Sequence, residues 1–123
     1  MVFTIDFESN EAIYIQLCNQ VIFGIANAEI SDGESLPSVR QLADMIGVNM
    51  HTVNKAYSVL RQEGYIKLDR RHGAVISLDT DKMIALKNMT LDMEVVIAKA
   101  LCKNISPEEI HETVDRIINR FTE

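Results

Sequence analysis

Between residues 36 and 57 the chain reads Leu36-Pro37-Ser38-Val39-Arg40-Gln41-Leu42-Ala43-Asp44-Met45-Ile46-Gly47-Val48-Asn49-Met50-His51-Thr52-Val53-Asn54-Lys55-Ala56-Tyr57. Pro37 precedes Ser38-Val39-Arg40-Gln41, an S-x-x-Q capping box in which serine hydroxyl and glutamine amide each satisfy a backbone N–H at a helix start. Val39, Leu42, Ala43 and Ile46 recur at helical spacing and predict a helix of about ten residues, ended by Gly47. Asn49 is placed to cap a second helix, with Val53, Ala56, Tyr57 and Leu60 on its buried face and Gly64 at its end. Two short helices joined by a turn containing glycine make a helix-turn-helix.

On the C-terminal side, Tyr65-Ile66-Lys67-Leu68 and Ala74-Val75-Ile76-Ser77-Leu78 are strand-like runs around Asp69-Arg70-Arg71-His72-Gly73. The spacing predicts a hairpin with a basic tip and a glycine where φ must be positive. Helix, helix-turn-helix and hairpin in that order form a winged helix. On the N-terminal side, Phe3, Ile5 and Phe7 alternate with Thr4 and Asp6, as in a short strand or extended arm with one buried face. Ser9 or Asn10 then suits an N-cap. Ile13, Leu17, Val21, Ile25 and Ala28 stripe a helix expected to stop near Ile30, where Ser31-Asp32-Gly33 supplies turn chemistry.

Past the hairpin, the helical period resumes from Asp79 or Thr80 to near Lys103. Apolar side chains lie on more than one face (Met83, Ile84, Leu86, Met89, Leu91, Met93, Val95, Val96, Ile97, Leu101), a pattern that calls for burial on several sides. Ser106-Pro107-Glu108-Glu109 is a second capping box with proline at the first helical position. Ile110, Val114, Ile117, Ile118 and Phe121 stripe the final helix. Two such helices hold too much apolar surface for a hairpin standing alone, and self-association is the economical expectation.

Of the 123 residues, 47% are hydrophobic and 24% charged, which excludes a disordered, collagenous or disulfide-stapled chain. The length excludes a large multi-domain enzyme. Cys18 and Cys102 lack C-x-x-C spacing, and each reads as a small core residue. Met1 to Pro37 holds no Lys or Arg, so no signal peptide is expected. The longest uncharged run, residues 12–28, is too short and too rich in Gln and Asn for a membrane span. The expectation is a cytoplasmic protein without a membrane partner. The net charge of −6 conceals an asymmetry: residues 1–37 carry −6, residues 38–78 carry +3 and residues 79–123 carry −3. A basic middle segment in an acidic chain suits a polyanion bound through that segment.

In a helix-turn-helix the second helix enters the major groove and its first residues reach base edges. Opposite its buried face stand His51, Thr52 and Asn54, donors and acceptors of suitable reach for bases, and Lys55, which suits a phosphate. Their other reading is the solvated face of an amphipathic helix. Arg40 is placed to fork onto a guanine or to pair with Asp44 four residues on. Ser38 has capping duty and a hydroxyl for a phosphate. Arg70, Arg71 and His72, followed by Gly73, suit a wing that enters the minor groove or binds phosphates, and equally charges that discourage sheet-to-sheet pairing. His51, His72 and His111 lie on three different elements, and no glycine loop cradles a phosphate. No catalytic residue, metal site or cofactor is expected, nor enzymatic activity.

The runs Leu36–Ala43, Asn49–Tyr57 and Leu60-Arg61-Gln62-Glu63-Gly64-Tyr65-Ile66, in this order and spacing, closely resemble the GntR family of bacterial transcription regulators over roughly residues 5–78. The 45 residues from 79 to 123 are too few for the large ligand-binding domains most members carry. They resemble the two-helix tail of the YtrA subfamily, whose members dimerise through it and commonly repress neighbouring transport operons. The resemblance implies a mainly α fold with a small β-hairpin wing: a winged helix-turn-helix DNA-binding domain over residues 1–78, then an α-helical hairpin dimerisation segment over residues 79–123. It implies a homodimeric repressor of a transport-related operon, bound to a pseudo-palindromic operator in double-stranded DNA. The DNA contacts it implies are Ser38, Arg40, His51, Thr52, Asn54 and Lys55, with Arg70, Arg71, His72 and Gly73 on the wing. The chain departs from the subfamily at His51, where a small polar residue is usual. It departs again at Gly73-Ala74-Val75-Ile76, which keeps one glycine and no threonine of the usual G-x-G-T-F-V run. The rival reading is a winged-helix module that binds protein, favoured by the acidic total and opposed by the basic middle. A small-molecule effector stays open as a partner; the tail is too small to enclose one, so its site would lie between domains or across a dimer.

Overall fold

The elements run α1 (Ile13–Ala26), α2 (Val39–Ile46), α3 (Met50–Gln62), β1 (Ile66–Asp69), β2 (Gly73–Ile76), α4 (Lys82–Cys102) and α5 (Pro107–Thr122). The computed structural model describes residues 2–122. Two compact units form, parted between Asp79 and Thr80.

In the first unit α2 begins with the expected capping box. Ser38 Oγ accepts from the Gln41 N–H at 3.1 Å, and Gln41 Oε1 accepts from the Ser38 N–H at 3.0 Å. Asn49 Oδ1 caps α3 by accepting from the His51 N–H at 2.7 Å. The apolar stripes of α1, α2 and α3 meet around Leu17, Val21, Leu42, Val53 and Leu60, and Ile76 of the hairpin closes the core beneath them. Each of these is essentially removed from water, a gain of roughly 1.5–3 kcal/mol per side chain. The hairpin pairs Ile66 with Ile76 through to Asp69 with Gly73, antiparallel.

The N-terminal arm is extended but forms no strand. Its backbone is satisfied by two glutamine side chains of α1. Gln16 accepts from the Asp6 N–H at 2.9 Å and donates to the Asp6 and Glu11 carbonyls at 3.0 Å. Gln20 accepts from the Thr4 N–H at 2.9 Å and donates back to the Thr4 carbonyl. Phe3 is buried and Ile5 half-buried, whereas Phe7, expected on the same face, is exposed. Neither Ser9 nor Asn10 caps α1. Ala12 occupies the N-cap without a side-chain bond, and Ser9 Oγ instead accepts from the Glu11 N–H at 3.0 Å in a local turn.

Helix α1 also ends earlier than its stripe suggested. Ala28, at φ +61°, lies outside the helix. The Glu29 N–H donates to the Gly24 carbonyl at 2.8 Å and the Ala28 N–H to the Ile25 carbonyl at 3.0 Å, which is a Schellman stop with alanine in the left-handed position.

The hairpin has a neighbour absent from the sequence reading. Residues 33–36 run along the free edge of β2: the Gly33 N–H donates to the Ile76 carbonyl, the Ile76 N–H to the Glu34 carbonyl and the Leu36 N–H to the Ala74 carbonyl, each at 2.8 Å. With both edges of β2 occupied, it is the protected strand of the hairpin.

In the second unit, Asp81 Oδ1 caps α4 by accepting from the Ile84 N–H at 3.2 Å. The Ser106–Glu109 box opens α5, with Ser106 Oγ accepting at 3.1 Å and Glu109 Oε1 accepting at 3.2 Å. Within the chain α4 buries no side chain, contrary to the burial on several sides that its pattern called for. Half-buried Met93, Ile97 and Ala100 fall on one stripe. Leu91, Val95, Ala98 and Cys102 lie on another and are exposed. Cys102 is therefore a surface residue of the single chain, not the core residue expected, because it lies on the exposed stripe of α4 and not on the stripe of half-buried Met93, Ile97 and Ala100. Among the described residues no helix is long and apolar enough to cross a membrane.

Candidate nucleic-acid interface

Three consecutive residues join the elements that carry the candidate side chains. The Leu36 N–H donates to Ala74 of β2 at 2.8 Å, the Pro37 carbonyl accepts from Tyr57 Oη of α3 at 2.6 Å, and Ser38 caps α2. Proline suits the middle position, since it has no N–H to leave unpaired and its φ is already fixed. The hairpin, α3 and the start of α2 are thereby tied at one point. Burial pushes the Tyr57 phenol well above the usual tyrosine range, so it remains a donor.

Arg40, second residue of α2, is exposed and makes no ion pair with Asp44 or any other acid among the described residues. Its guanidinium keeps its fork of donors available. His51 and Thr52 occupy the first turn of α3; His51 and Asn54 are exposed and Thr52 is half-buried. Asn49 engages the His51 backbone N–H, and both His51 and Asn54 are exposed on the outer face of α3. Lys55 is exposed too, but it is held: its Nζ lies 4.1 Å from the centroid of the Tyr14 ring on α1, within cation–π range.

The wing tip is organised by Asp69. Its Oδ1 accepts from the Arg71 N–H at 2.7 Å and the His72 N–H at 3.1 Å, and lies 3.4 Å from His72 Nδ1. The two backbone N–H groups, with His72 adding to them, hold the Asp69 carboxyl below its ordinary pKa. Gly73 closes the tip at φ +71°, a conformation costly for residues with a Cβ. Arg70 and Arg71 project without an ion pair among the described residues, while His72 is drawn toward Asp69.

Sequence reasoning placed Tyr57 in the core without its bond to Pro37, and it missed Tyr14 beneath Lys55. Asp69 carried a legible signal: an aspartate opening a tight connection commonly accepts from N–H groups two or three residues on. The Tyr14–Lys55 contact carried none, because it joins positions 41 residues apart in the chain.

Cys18 is buried and its thiol donates to the Ala56 carbonyl at 3.4 Å. Burial, reinforced by the charge of Glu63, pushes its pKa up to about 11. Such a thiol stays protonated and is no nucleophile at neutral pH. Among the described residues no group of three His, Cys, Asp or Glu is placed to hold a metal ion.

A capped helix pair, a hairpin wing and cationic side chains without acid partners define a winged helix-turn-helix protein of the nucleic-acid-binding class. The chain belongs to the gntR family of bacterial regulatory proteins, whose family model matches residues 13–76. It is similar to the HTH-type transcriptional repressor YtrA of Bacillus subtilis (strain 168), with 33% identity over 92% of this chain and 89% of that one. It resembles the solved structure of YtrA from Sulfolobus acidocaldarius, a GntR-family transcription factor, at 41% identity and TM-score 0.60 over 98% of this chain and 99% of the other. It also resembles a protein described as a transcriptional antiterminator from Listeria monocytogenes EGD-e, at 30% identity and TM-score 0.80, covering 95% and 90% of the two chains. The protein is thus a transcription regulator of the YtrA-like subfamily with a DNA-binding helix-turn-helix, and not an enzyme.

Proposed function

We propose that the protein is a homodimeric, sequence-specific repressor acting in the cytoplasm on a pseudo-palindromic operator, with one winged unit on each half-site. The observation that carries this reading is the Leu36–Ser38 junction, which ties the start of α2, the recognition helix and the wing together. Polar side chains on all three are then presented with fixed mutual geometry, as specific recognition requires.

In this reading Arg40, His51, Thr52 and Asn54 read base edges, and Ser38 and Lys55 hold phosphates. Arg70, Arg71 and His72, with Gly73 allowing close approach, meet the minor groove or its phosphates. Residues 1–78 act as the DNA-binding domain and residues 79–123 as the dimerisation segment. Exposed apolar residues along α4 support the second role, since a second copy would cover apolar surface that is exposed among the described residues. Half-sites would lie about one duplex turn apart, ~34 Å. Similarity to a protein named as a repressor supports the sign of regulation, and the YtrA-like resemblance points to a transport operon as the target.

Selection from a random duplex library at near-physiological salt tests the reading. Enrichment of one palindromic site is expected. Folded, dimeric protein that enriches no site, with and without cell extract as a source of effector, would overturn it.

A further inference from the structure

We infer that Tyr14 is a positioning residue for DNA binding: its ring holds the Lys55 ammonium where a backbone phosphate is met. The inference rests on reading Lys55 as a phosphate contact. Tyr14 is the second residue of α1, half-buried, its ring packed against the hydrophobic core. The ring is therefore a fixed platform, whereas Lys55 is an exposed, four-carbon side chain on the recognition helix. A free lysine surrenders much rotamer freedom when immobilised on a phosphate. With Nζ 4.1 Å above the ring, that freedom is already restricted before DNA arrives.

The partner chosen for Lys55 matters as much as the restriction. A carboxylate would neutralise the ammonium and compete with a phosphate. The face of an aromatic ring attracts the cation through its quadrupole but leaves its charge in place. It occupies one side of the ammonium and leaves the other for an incoming oxygen. Among the described residues no carboxylate lies within ion-pair distance of Lys55. The phenol oxygen plays no part in this arrangement, so phenylalanine should replace tyrosine.

The test uses the full chain on a mixed-sequence B-form duplex at several low salt concentrations, since phosphate contacts are independent of base sequence. Four proteins are compared with the wild type: Tyr14→Leu, Tyr14→Phe, Lys55→Ala and the Tyr14→Leu/Lys55→Ala double variant. Lys55→Ala should weaken binding and lower the salt slope by about 0.9. Tyr14→Leu should weaken binding roughly three- to tenfold, Tyr14→Phe should bind within about twofold of the wild type, and the double variant should bind no worse than Lys55→Ala alone.

If Lys55→Ala changes neither affinity nor slope, the phosphate reading fails and the inference with it. Should Lys55→Ala weaken binding while Tyr14→Leu does not, the contact stands and the positioning role is overturned. Equal losses from Tyr14→Leu with and without Lys55 would mark Tyr14 as merely structural. NMR of the unsubstituted protein decides the contact even if Tyr14→Leu fails to fold: ring stacking must move the Lys55 ε-methylene protons upfield of the other lysines, and their absence there overturns the inference.

Discussion

Tyr57 and Pro37, twenty residues apart, meet at 2.6 Å, with the buried phenol of the recognition helix donating to the carbonyl that precedes α2. This bond fixes the orientation of α3 against the start of α2 from inside the core. The exposed residues of both helices take their positions from it. Tyr57→Phe keeps the ring and removes the bond, with an expected stability loss of about 1 kcal/mol and weaker duplex binding, both read by urea unfolding and titration. The pH dependence has a definite sign. Burial raises the folded pKa of Tyr57 above the unfolded value near 10. Its contribution is therefore complete below about pH 10 and is lost as pH rises through the folded value. The advantage of wild type over Tyr57→Phe in urea midpoint should be full at about pH 8 and shrink as pH rises above about 10, since only the wild type has a phenol whose ionisation favours the unfolded chain.

Arg40 is exposed near the start of α2 and makes no ion pair with Asp44 among the described residues, and in the proposed reading it forks onto a base edge. Arg40→Ala should cost about 1–3 kcal/mol of affinity for a duplex selected with the wild-type protein and relax selectivity at one position of each half-site. Repeating the selection with the variant checks this. Unchanged affinity would remove Arg40 from the readout.

Two backbone positions at helix ends should respond in opposite directions. Ala28 sits at φ +61° in the stop of α1, so Ala28→Gly should stabilise the protein by about 1 kcal/mol. Gly64 follows α3 at φ +85°, and a Cβ there would lie 2.8 Å from the Asp79 Cβ. That atom cannot move aside without its backbone, which is itself anchored by the Asp79 N–H donating to the Gly64 carbonyl at 2.8 Å. Gly64→Ala should cost about 2 kcal/mol or more. Thermal unfolding of the two variants measures both.

Val95 is 56% exposed and shares its stripe of α4 with Leu91, Ala98 and Cys102, away from half-buried Met93 and Ile97. If a second copy covers that stripe, Val95→Glu places a charge in an apolar contact and should yield a monomer by light scattering at micromolar concentration. Operator affinity should fall with it, because each half-site is then bound independently. Wild-type protein that is monomeric under the same conditions would remove the basis for the dimer.

Much of the fold was legible along the chain because its signals are local. The capping boxes at Ser38 and Ser106, the cap at Asn49, the stripes of α2 and α3 and the basic tip ending in Gly73 each depend on residues within one or two turns of one another. Where local signals compete, the reading slipped. Ser9 and Asn10 are good caps by type, yet the arm's pairing with Gln16 and Gln20 moved the start of α1 to Ile13. Ala28 continued the apolar stripe, yet the Schellman bonds closed the helix before it.

By itself the sequence determined which segments are helical, where three of the helices are capped, and which side chains stand on the outer face of α3. Propensity, capping and periodicity are properties of neighbouring residues. Only the tertiary structure decided that residues 33–36 line the second edge of β2, that Tyr57 reaches Pro37, that Tyr14 lies under Lys55, and that the Leu91, Val95, Ala98 and Cys102 stripe of α4 stays exposed. Each joins, or fails to join, groups far apart in sequence. Such contacts exist only once the core has brought their elements together, and no local pattern encodes them.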